Sequence, residues 1–141
     1  MVKEILDMFS KEELVKKALA AREKAYVPYS NFPVGAALIT KEGKIFTGCN
    51  IENAAFPVTC CAERTVLFKA VSEGERSFEA LAVVADTDRP VSPCGSCRQV
   101  LAEFCPPEMP VYLANLRGEV EIMDVASLLP GAFGAKDLMK R

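Results

Sequence analysis

Residues 81–85 read LAVVA, and this uninterrupted apolar run is the stretch that decides the fold class. A strand that is apolar on both of its sides is typical of a sheet interior covered on both faces. Segments with helical spacing lie on both sides of the run along the chain. We therefore expect a sheet that lies between layers of helices.

The elements on either side of this run predict the rest of the topology. In chain order they are a helix over about 11–26, strands over 34–40 and 44–49, a helix from about 59 or 60 that ends before Gly74, the 81–85 strand, a helix over 94–104, strands over 111–113 and 120–123, and a short helix through 129. Ser10 and Glu13 match a capping box, which predicts the start of the first helix. Gly43 and Gly118 mark tight turns between strands, and Asp124 is placed to cap the last helix. The order α-β-β-α-β-α-β-β-α predicts an α/β fold with one sheet.

Composition and charge narrow the class of protein. The 141 residues are 50% hydrophobic and 26% charged, which indicates one globular domain over 1–141. Seventeen Lys and Arg against 19 Asp and Glu give a net charge of -2, which argues against a nucleic-acid partner. No apolar run approaches the roughly 18 residues that cross a bilayer, so we expect no membrane partner. The N-terminus is too charged for a signal peptide, and we expect a cytoplasmic protein.

Histidine and cysteine counts bear on the chemistry. The chain has no histidine, so a histidine base and a histidine metal ligand are both excluded. It has six cysteines, at positions 49, 60, 61, 94, 97 and 105. Clustered cysteines in a reducing compartment indicate metal binding or catalysis rather than disulfides.

A candidate zinc site is the strongest signal in the sequence. Cys94 and Cys97 are three positions apart at a predicted helix start, so their sulfurs share one face. Cys61 and Glu63 lie at the start of the preceding predicted helix. Three protein ligands leave the fourth tetrahedral position of Zn²⁺ for water, which is typical of a catalytic zinc site. Spacing alone does not decide whether Cys60 or Cys61 is the third ligand.

The charge of such a site needs compensation. Three thiolates around Zn²⁺ carry a net charge of -1, which weakens the metal as an activator of water. Two helix N-termini contribute roughly half a positive charge each. Arg64 lies three positions after Cys61 on the same helical face, so it can donate hydrogen bonds to the thiolates. A solvated surface arginine is the alternative interpretation.

Five longer motifs extend beyond the cysteines, namely PYSNFPVGAAL at 28–38, GCNIENAAF at 48–56, TCCAERTVLFKAVSEGE at 59–75, SPCGSCRQVLAEF at 92–104 and LLPGAFG at 128–134. These motifs resemble the small bacterial cytidine deaminases. The resemblance covers about residues 11–135. It implies a three-layer α/β/α sandwich around a five-stranded mixed sheet, and a homotetramer with one zinc ion per subunit. It also implies hydrolytic deamination of cytidine and deoxycytidine to uridine and deoxyuridine, with release of ammonia.

The resemblance also assigns roles by position. It makes Cys61, Cys94 and Cys97 the zinc ligands, and it makes Glu63 the group that moves protons between water, N3 of the pyrimidine and the departing amino group. For the substrate it implies Asn50 and Glu52 at the ribose hydroxyls, Phe32 as an aromatic wall, Ala62 as a backbone contact to the base, and Phe133 as a contribution from a neighbouring subunit. Phe56 replaces the Tyr common in the family and lacks its hydroxyl.

Three other functions stay open at this point. A deaminase of aminonucleoside antibiotics shares the zinc chemistry, but the Asn50 and Glu52 pair favours a ribose. A polynucleotide deaminase is disfavoured by the acidic balance of charge. A non-enzymatic zinc module requires a fourth protein ligand, for which Cys60 is the nearby candidate.

Overall fold

One mixed sheet of five strands organises the chain. The computed structural model describes the backbone of residues 2–139 and the side chains of residues 11–139. The strands are β1 (Val34–Thr40), β2 (Ile45–Cys49), β3 (Phe78–Ala85), β4 (Pro110–Ala114) and β5 (Val120–Asp124). Their order is β2-β1-β3-β4-β5. β3 and β4 are parallel and the other neighbours are antiparallel, which confirms the predicted mixed sheet.

Five helices lie among the described residues, and all but the last pack on a face of the sheet. They are α1 (Val2–Arg22), α2 (Ala62–Ser72), α3 (Gly95–Phe104), α4 (Val125–Leu128) and α5 (Ala135–Met139). Leu14 and Ala18 of α1 pack on one face, against a cluster that includes Ala82 and Val84. The opposite face packs against α2, α3 and α4, through a cluster that includes Leu81 and Val83. Successive side chains of β3 therefore enter different cores, and the predicted three-layer α/β/α sandwich is confirmed.

The first helix differs from its prediction at both ends. It begins at Val2 instead of near residue 11, and it ends at Arg22 instead of near 26. The backbone is helical through Ser10, so the predicted capping box does not begin the helix, and the side chain of Ser10 lies outside the described residues. A helix interior satisfies the backbone N–H groups that a cap would otherwise serve. The prediction of a helix start at Ser10 is therefore wrong.

The other predicted elements agree with the structure to within three residues. Gly43 and Gly118 adopt positive φ angles of 92° and 84° in the turns before β2 and β5. Asp124 caps α4, because its carboxylate accepts a hydrogen bond from Ser127 N at 2.7 Å. Sequence reasoning missed α5 and a single 3-10 turn over Phe56–Val58. No helix among the described residues is long and apolar enough to cross a membrane.

Two glycines bring helices close to the sheet. A Cβ atom at Gly35 in β1 would lie 1.9 Å from the carbonyl oxygen of Ala18 in α1. A Cβ atom at Gly48 in β2 would lie 2.8 Å from the backbone nitrogen of Val66 in α2. Because α2 follows Cys61 directly, the contact at Gly48 also sets the distance from the sheet to the candidate site.

Candidate metal centre and catalytic site

Three cysteine sulfurs converge where α2 and α3 begin. The sulfurs of Cys61 and Cys94 are 3.8 Å apart, and those of Cys94 and Cys97 are 3.5 Å apart. All three lie within 4.8 Å of one another. Cys97 is buried, Cys61 is half-buried and Cys94 is exposed, so the cluster is open to solvent on the side of Cys94.

Both helices direct their N-termini toward this cluster. Cys61 is the N-cap residue of α2 and Cys94 is the N-cap residue of α3. Neither thiol forms a capping hydrogen bond within its helix, so both sulfurs are free for another partner. The positive ends of the two helix dipoles stabilise negative charge on sulfur at these positions. This arrangement confirms the predicted placement of both segments at helix starts.

Arg64 supplies a full positive charge beside the sulfurs. Its Nη2 donates to the Cys61 sulfur at 3.3 Å and to the carbonyl oxygen of Thr59 at 3.5 Å. The hydrogen bond with Cys61 raises the pKa of the guanidinium above its usual value, so Arg64 stays charged. Its Nε is buried and has no hydrogen-bond partner among the described residues. Arg64 thus faces the cluster, which favours charge compensation over the alternative of a solvated surface arginine.

The thiols of the cluster share their protons unequally. A hydrogen bond from Cys97, together with the guanidinium of Arg64, lowers the pKa of Cys61 to about 5 although burial opposes the change. The same contact with Cys61 raises the pKa of Cys97 well above its usual range, and burial adds to the increase. A thiolate is the form that ligates metals, so Cys61 is prepared for a metal ion at neutral pH.

Glu63 is the buried acid next to this cluster. It lies in the first turn of α2 and is only 5% exposed. Burial raises the pKa of its carboxyl to about 7, and the negative charge of Cys61 acts in the same direction. A carboxyl group whose pKa is near neutral can both accept and donate a proton.

Asn50 connects β2 to the loop that carries Phe32. Its Oδ1 accepts from Val34 N at 2.9 Å, and its Nδ2 donates to the carbonyl oxygen of Phe32 at 2.9 Å. An amide group has two donors and two acceptor positions, so one of each remains for a ligand. Phe32 is 38% exposed, so its ring is accessible for contact with a ligand.

Glu52 holds the same loop two positions further along the chain. Its Oε1 accepts from the backbone nitrogens of Tyr29 and Ser30 at 3.0 and 3.1 Å, and its Oε2 accepts from the Ser30 hydroxyl. The hydrogen bond from the Ser30 hydroxyl lowers the pKa of the carboxyl. A cavity of about 420 Å³ opens beside it, with Tyr29, Ser30, Phe56 and Thr59 as further lining residues. Sequence reasoning missed Ser30, for which a hydroxyl in a Pro-bracketed loop is the only signal.

Ala62 and Phe133, which are also predicted to contact the substrate, differ in their exposure to solvent. Ala62, the first residue of α2, is fully buried. Phe133 lies between α4 and α5 and is 57% exposed, while Gln99 Nε2 donates to its backbone carbonyl at 2.8 Å. The main chain of Phe133 is therefore attached to α3, and its ring is free to meet another surface.

Comparison with known proteins identifies the family. The family model for the cytidine and deoxycytidylate deaminase zinc-binding region matches residues 8–113. The chain belongs to this deaminase family. It is 65% identical to a cytidine deaminase of Sporosarcina psychrophila, over 90% of this chain and 93% of the relative. It is 59% identical to a cytidine deaminase of Halalkalibacterium halodurans, over 91% of this chain and 97% of the relative.

Solved structures of the family share the fold. A cytidine deaminase from Burkholderia pseudomallei, solved at 1.6 Å, superposes with a TM-score of 0.85 at 52% identity. That superposition covers 86% of this chain and 98% of the other. The sheet and helix layers described above are therefore those of the deaminase family.

The thiol cluster fits the zinc ion of a zinc-binding deaminase. Ligand sulfurs about 2.3 Å from a tetrahedral zinc lie roughly 3.8 Å apart, close to the two separations observed. Among the described side chains, the group able to hold a metal comprises Cys61, Cys94 and Cys97. Cys60 lies outside it, and its backbone instead pairs with Ile51 in an isolated bridge. The geometry therefore favours Cys61 over Cys60 as the third ligand.

Proposed function

We propose that this chain is a cytidine deaminase that hydrolyses cytidine and deoxycytidine to uridine and deoxyuridine, with release of ammonia. One observation carries the proposal, namely the convergence of three cysteine sulfurs beside the buried carboxyl of Glu63. Membership of the deaminase family and identity of 65% to a cytidine deaminase support it. Such a reaction returns cytosine nucleosides to the uridine pool, as in pyrimidine salvage.

Glu63 carries the proton transfers in this proposal. Cys61, Cys94 and Cys97 would hold the zinc ion, which would supply the Lewis-acid chemistry that makes water nucleophilic near neutral pH. The Glu63 carboxylate would accept one proton from the attacking water and pass it to N3 of the pyrimidine; it would then accept the second proton of that oxygen, now the C4 hydroxyl, and deliver it to the departing amino nitrogen. One water is consumed, and one ammonia leaves C4. Burial of Glu63 keeps bulk water from competing for these protons.

The loop over 28–33, the segment after β2 and the start of α2 provide the substrate contacts. Asn50 and Glu52 offer an amide and a carboxylate, which suit the hydroxyls of a ribose. Phe32 covers the pyrimidine, and the backbone of Ala62 contacts its edge. A free nucleoside is therefore favoured over an aminonucleoside antibiotic or a polynucleotide.

The proposal includes a homotetramer whose active sites receive Phe133 from a neighbouring subunit. Ile51, Val58 and Phe68 are 45–64% exposed and line one shallow apolar depression. Phe56 is 69% exposed beside Tyr29, with the two ring centroids 5.8 Å apart. Burial of these side chains against further copies of the chain removes apolar surface from water. One domain over 1–141 and one zinc ion per subunit complete this assignment.

We also propose a cytoplasmic location. All six cysteines carry free thiols, which is typical of a reducing compartment. The cluster of Cys61, Cys94 and Cys97 depends on reduced sulfur, because an oxidised pair cannot ligate zinc. Fractionation of cells that express the chain at its natural level tests this location, and recovery in an oxidising compartment contradicts it.

A substrate panel with two matched variants tests the function. Purified protein is incubated with cytosine, cytidine, deoxycytidine, blasticidin S and a single-stranded deoxycytidine oligonucleotide, and ammonia and product are measured. We expect turnover of cytidine and deoxycytidine alone. Glu63→Ala should retain one zinc ion per chain and lose turnover, whereas Glu79→Ala, at an exposed position in β3, should retain both. Full activity of Glu63→Ala, or no nucleoside turnover by the zinc-loaded protein, contradicts the proposal.

A further inference from the structure

Arg98 follows Cys97 directly, and its guanidinium group joins two separate segments of the chain. Its Nε donates to the carbonyl oxygen of Pro93 at 2.8 Å, and its Nη2 donates to the Ser92 hydroxyl at 2.6 Å. Its Nη1 donates to the carbonyl oxygen of Leu128 at 2.6 Å. All three nitrogens are used, and every acceptor is uncharged. The contact is therefore a geometric clamp built on the planar fork of an arginine.

The first two contacts fix the chain immediately before Cys94. The side chain of Arg98 holds the carbonyl of Pro93, and the backbone N–H of Arg98 donates to the carbonyl oxygen of Cys94 at 3.0 Å. One residue therefore holds the carbonyl groups on both sides of the Cys94 α-carbon. Cys94 is the exposed member of the thiol cluster, so it has fewer packing contacts to hold its position than the buried Cys97.

The third contact reaches the segment that carries Phe133. Leu128 is the last residue of α4, and its carbonyl has no partner within that helix. Gln99, the next residue after Arg98, donates from Nε2 to the carbonyl oxygen of Phe133. Arg98 and Gln99 therefore hold both ends of the segment over 128–133. Two adjacent residues of α3 connect this segment to the helix turn that carries the cysteine pair.

We propose that Arg98 is a positioning residue. It holds Cys94 in place to bind the metal ion, and it links the chain around Pro93 and Cys94 to the segment over 128–133. The inference rests on the proposed function only in that the three thiols bind zinc. Groups that orient metal ligands typically change metal affinity by about 10–100-fold when they are removed. Because these hydrogen bonds order the segment before Cys94 in advance, metal binding does not have to supply the free energy of ordering it.

Metal titration of the apo protein tests this role without any substrate. Zn²⁺ affinity is measured by competition with a chromogenic chelator, and Co²⁺ is added to record the sulfur-to-cobalt charge-transfer band. We expect Arg98→Lys, which retains the charge but not the fork, to raise the dissociation constant about 10–100-fold and weaken the cobalt band. Arg76→Lys is the matched control, because Arg76 also donates to two backbone carbonyls, of Val71 and Glu75. It should stay within about threefold of the wild type.

The outcomes separate this inference from the proposed function. Wild-type affinity and an unchanged cobalt band in a folded Arg98→Lys protein overturn the inference, while the metal site itself stands. A wild-type protein that binds no Co²⁺ or Zn²⁺ overturns the metal site as well. If circular dichroism shows that Arg98→Lys is unfolded, the same titration is carried out on Ser92→Ala, which removes one exposed hydrogen-bond acceptor of Arg98. We expect a weaker loss of affinity in that variant, and no loss at all overturns the inference.

Discussion

The sulfur of Cys61 lies 3.8 Å from the sulfur of Cys94, although 33 positions separate the two residues along the chain. The contact exists because α2 and α3 pack on the same face of the sheet and begin at neighbouring points. Each helix contributes its N-cap residue, so the fold places two dipole ends and two thiols together. The metal centre is thus a product of helix packing rather than of one local motif.

Replacement of Cys60 and of Cys61 by alanine, one at a time, distinguishes the zinc ligand from its neighbour. We expect Cys61→Ala to lose its zinc and to melt at a lower temperature, because bound metal stabilises the folded state. Cys60→Ala should retain one zinc ion per chain, since Cys60 lies outside the thiol group. Elemental analysis and thermal melting of the two purified variants check this pair. Zinc loss from Cys60→Ala with retention in Cys61→Ala reverses the assignment.

Removal of Arg64 should weaken the site without unfolding the protein. The guanidinium donates to the Cys61 sulfur and offsets thiolate charge, so Arg64→Ala should lower zinc affinity by about 10–100-fold. Arg117→Ala is the control, because Arg117 forms an exposed ion pair with Asp88 that is worth about 1 kcal/mol at most. Chelator competition on both variants gives the comparison. Equal affinities in Arg64→Ala and wild type refute charge compensation by Arg64.

Glu52 should affect substrate binding more than the chemical step. Hydrogen bonds to a charged acceptor are stronger than those to a neutral one, so Glu52→Gln should raise the KM for cytidine about tenfold. The backbone N–H groups of Tyr29 and Ser30 also lose their charged acceptor in this variant, which adds to the effect. Ser30→Ala separates the two contributions, since it removes a loop contact and leaves the carboxylate. Steady-state kinetics that show a fall in kcat alone argue against contact between Glu52 and the ribose.

Mixed oligomers test whether Phe133 serves a neighbouring subunit. Glu63→Ala and Phe133→Ala should each be nearly inactive alone. Co-refolded together, they should regain a fraction of wild-type activity, because some sites then combine an intact Glu63 with an intact Phe133 from the other chain. Sedimentation should give four times the chain mass of 15.3 kDa. A monomer, or a mixture no more active than its parts, contradicts a shared site.

Much of the fold follows from local sequence signals. The apolar run over 81–85 is long enough to specify a buried strand, and Gly43 and Gly118 specify turns through positive φ angles. The start of α1 did not follow, because a capping pattern at Ser10 is outweighed by continued helix formation before it. The short helix α5 has too few residues to show a helical period.

The candidate site also contains some features that the sequence predicts and others that it does not. Cys94, Cys97 and Glu63 are marked by spacing, but spacing left Cys60 and Cys61 open; the resemblance chose Cys61, and the geometry of the thiol cluster agrees. The clamp of Arg98 depends on Leu128, 30 positions away, so no local pattern contains it. The hydrogen bonds between the loop over 28–33 and the side chains of Asn50 and Glu52 are likewise long-range contacts. Spacing marked the chemical groups and the resemblance joined Cys61 to the distant pair, whereas the hydrogen bonds between distant segments had no signal in the sequence.

X-ray absorption at the zinc edge of the purified protein tests the central claim most directly. We expect three sulfur neighbours at about 2.3 Å and one oxygen at about 2.0 Å, with no change in the Cys60→Ala variant. This pattern corresponds to ligation by Cys61, Cys94 and Cys97 and an open position for chemistry. Four sulfur neighbours in the wild type, with loss of one in Cys60→Ala, would show a closed structural site and contradict the catalytic assignment.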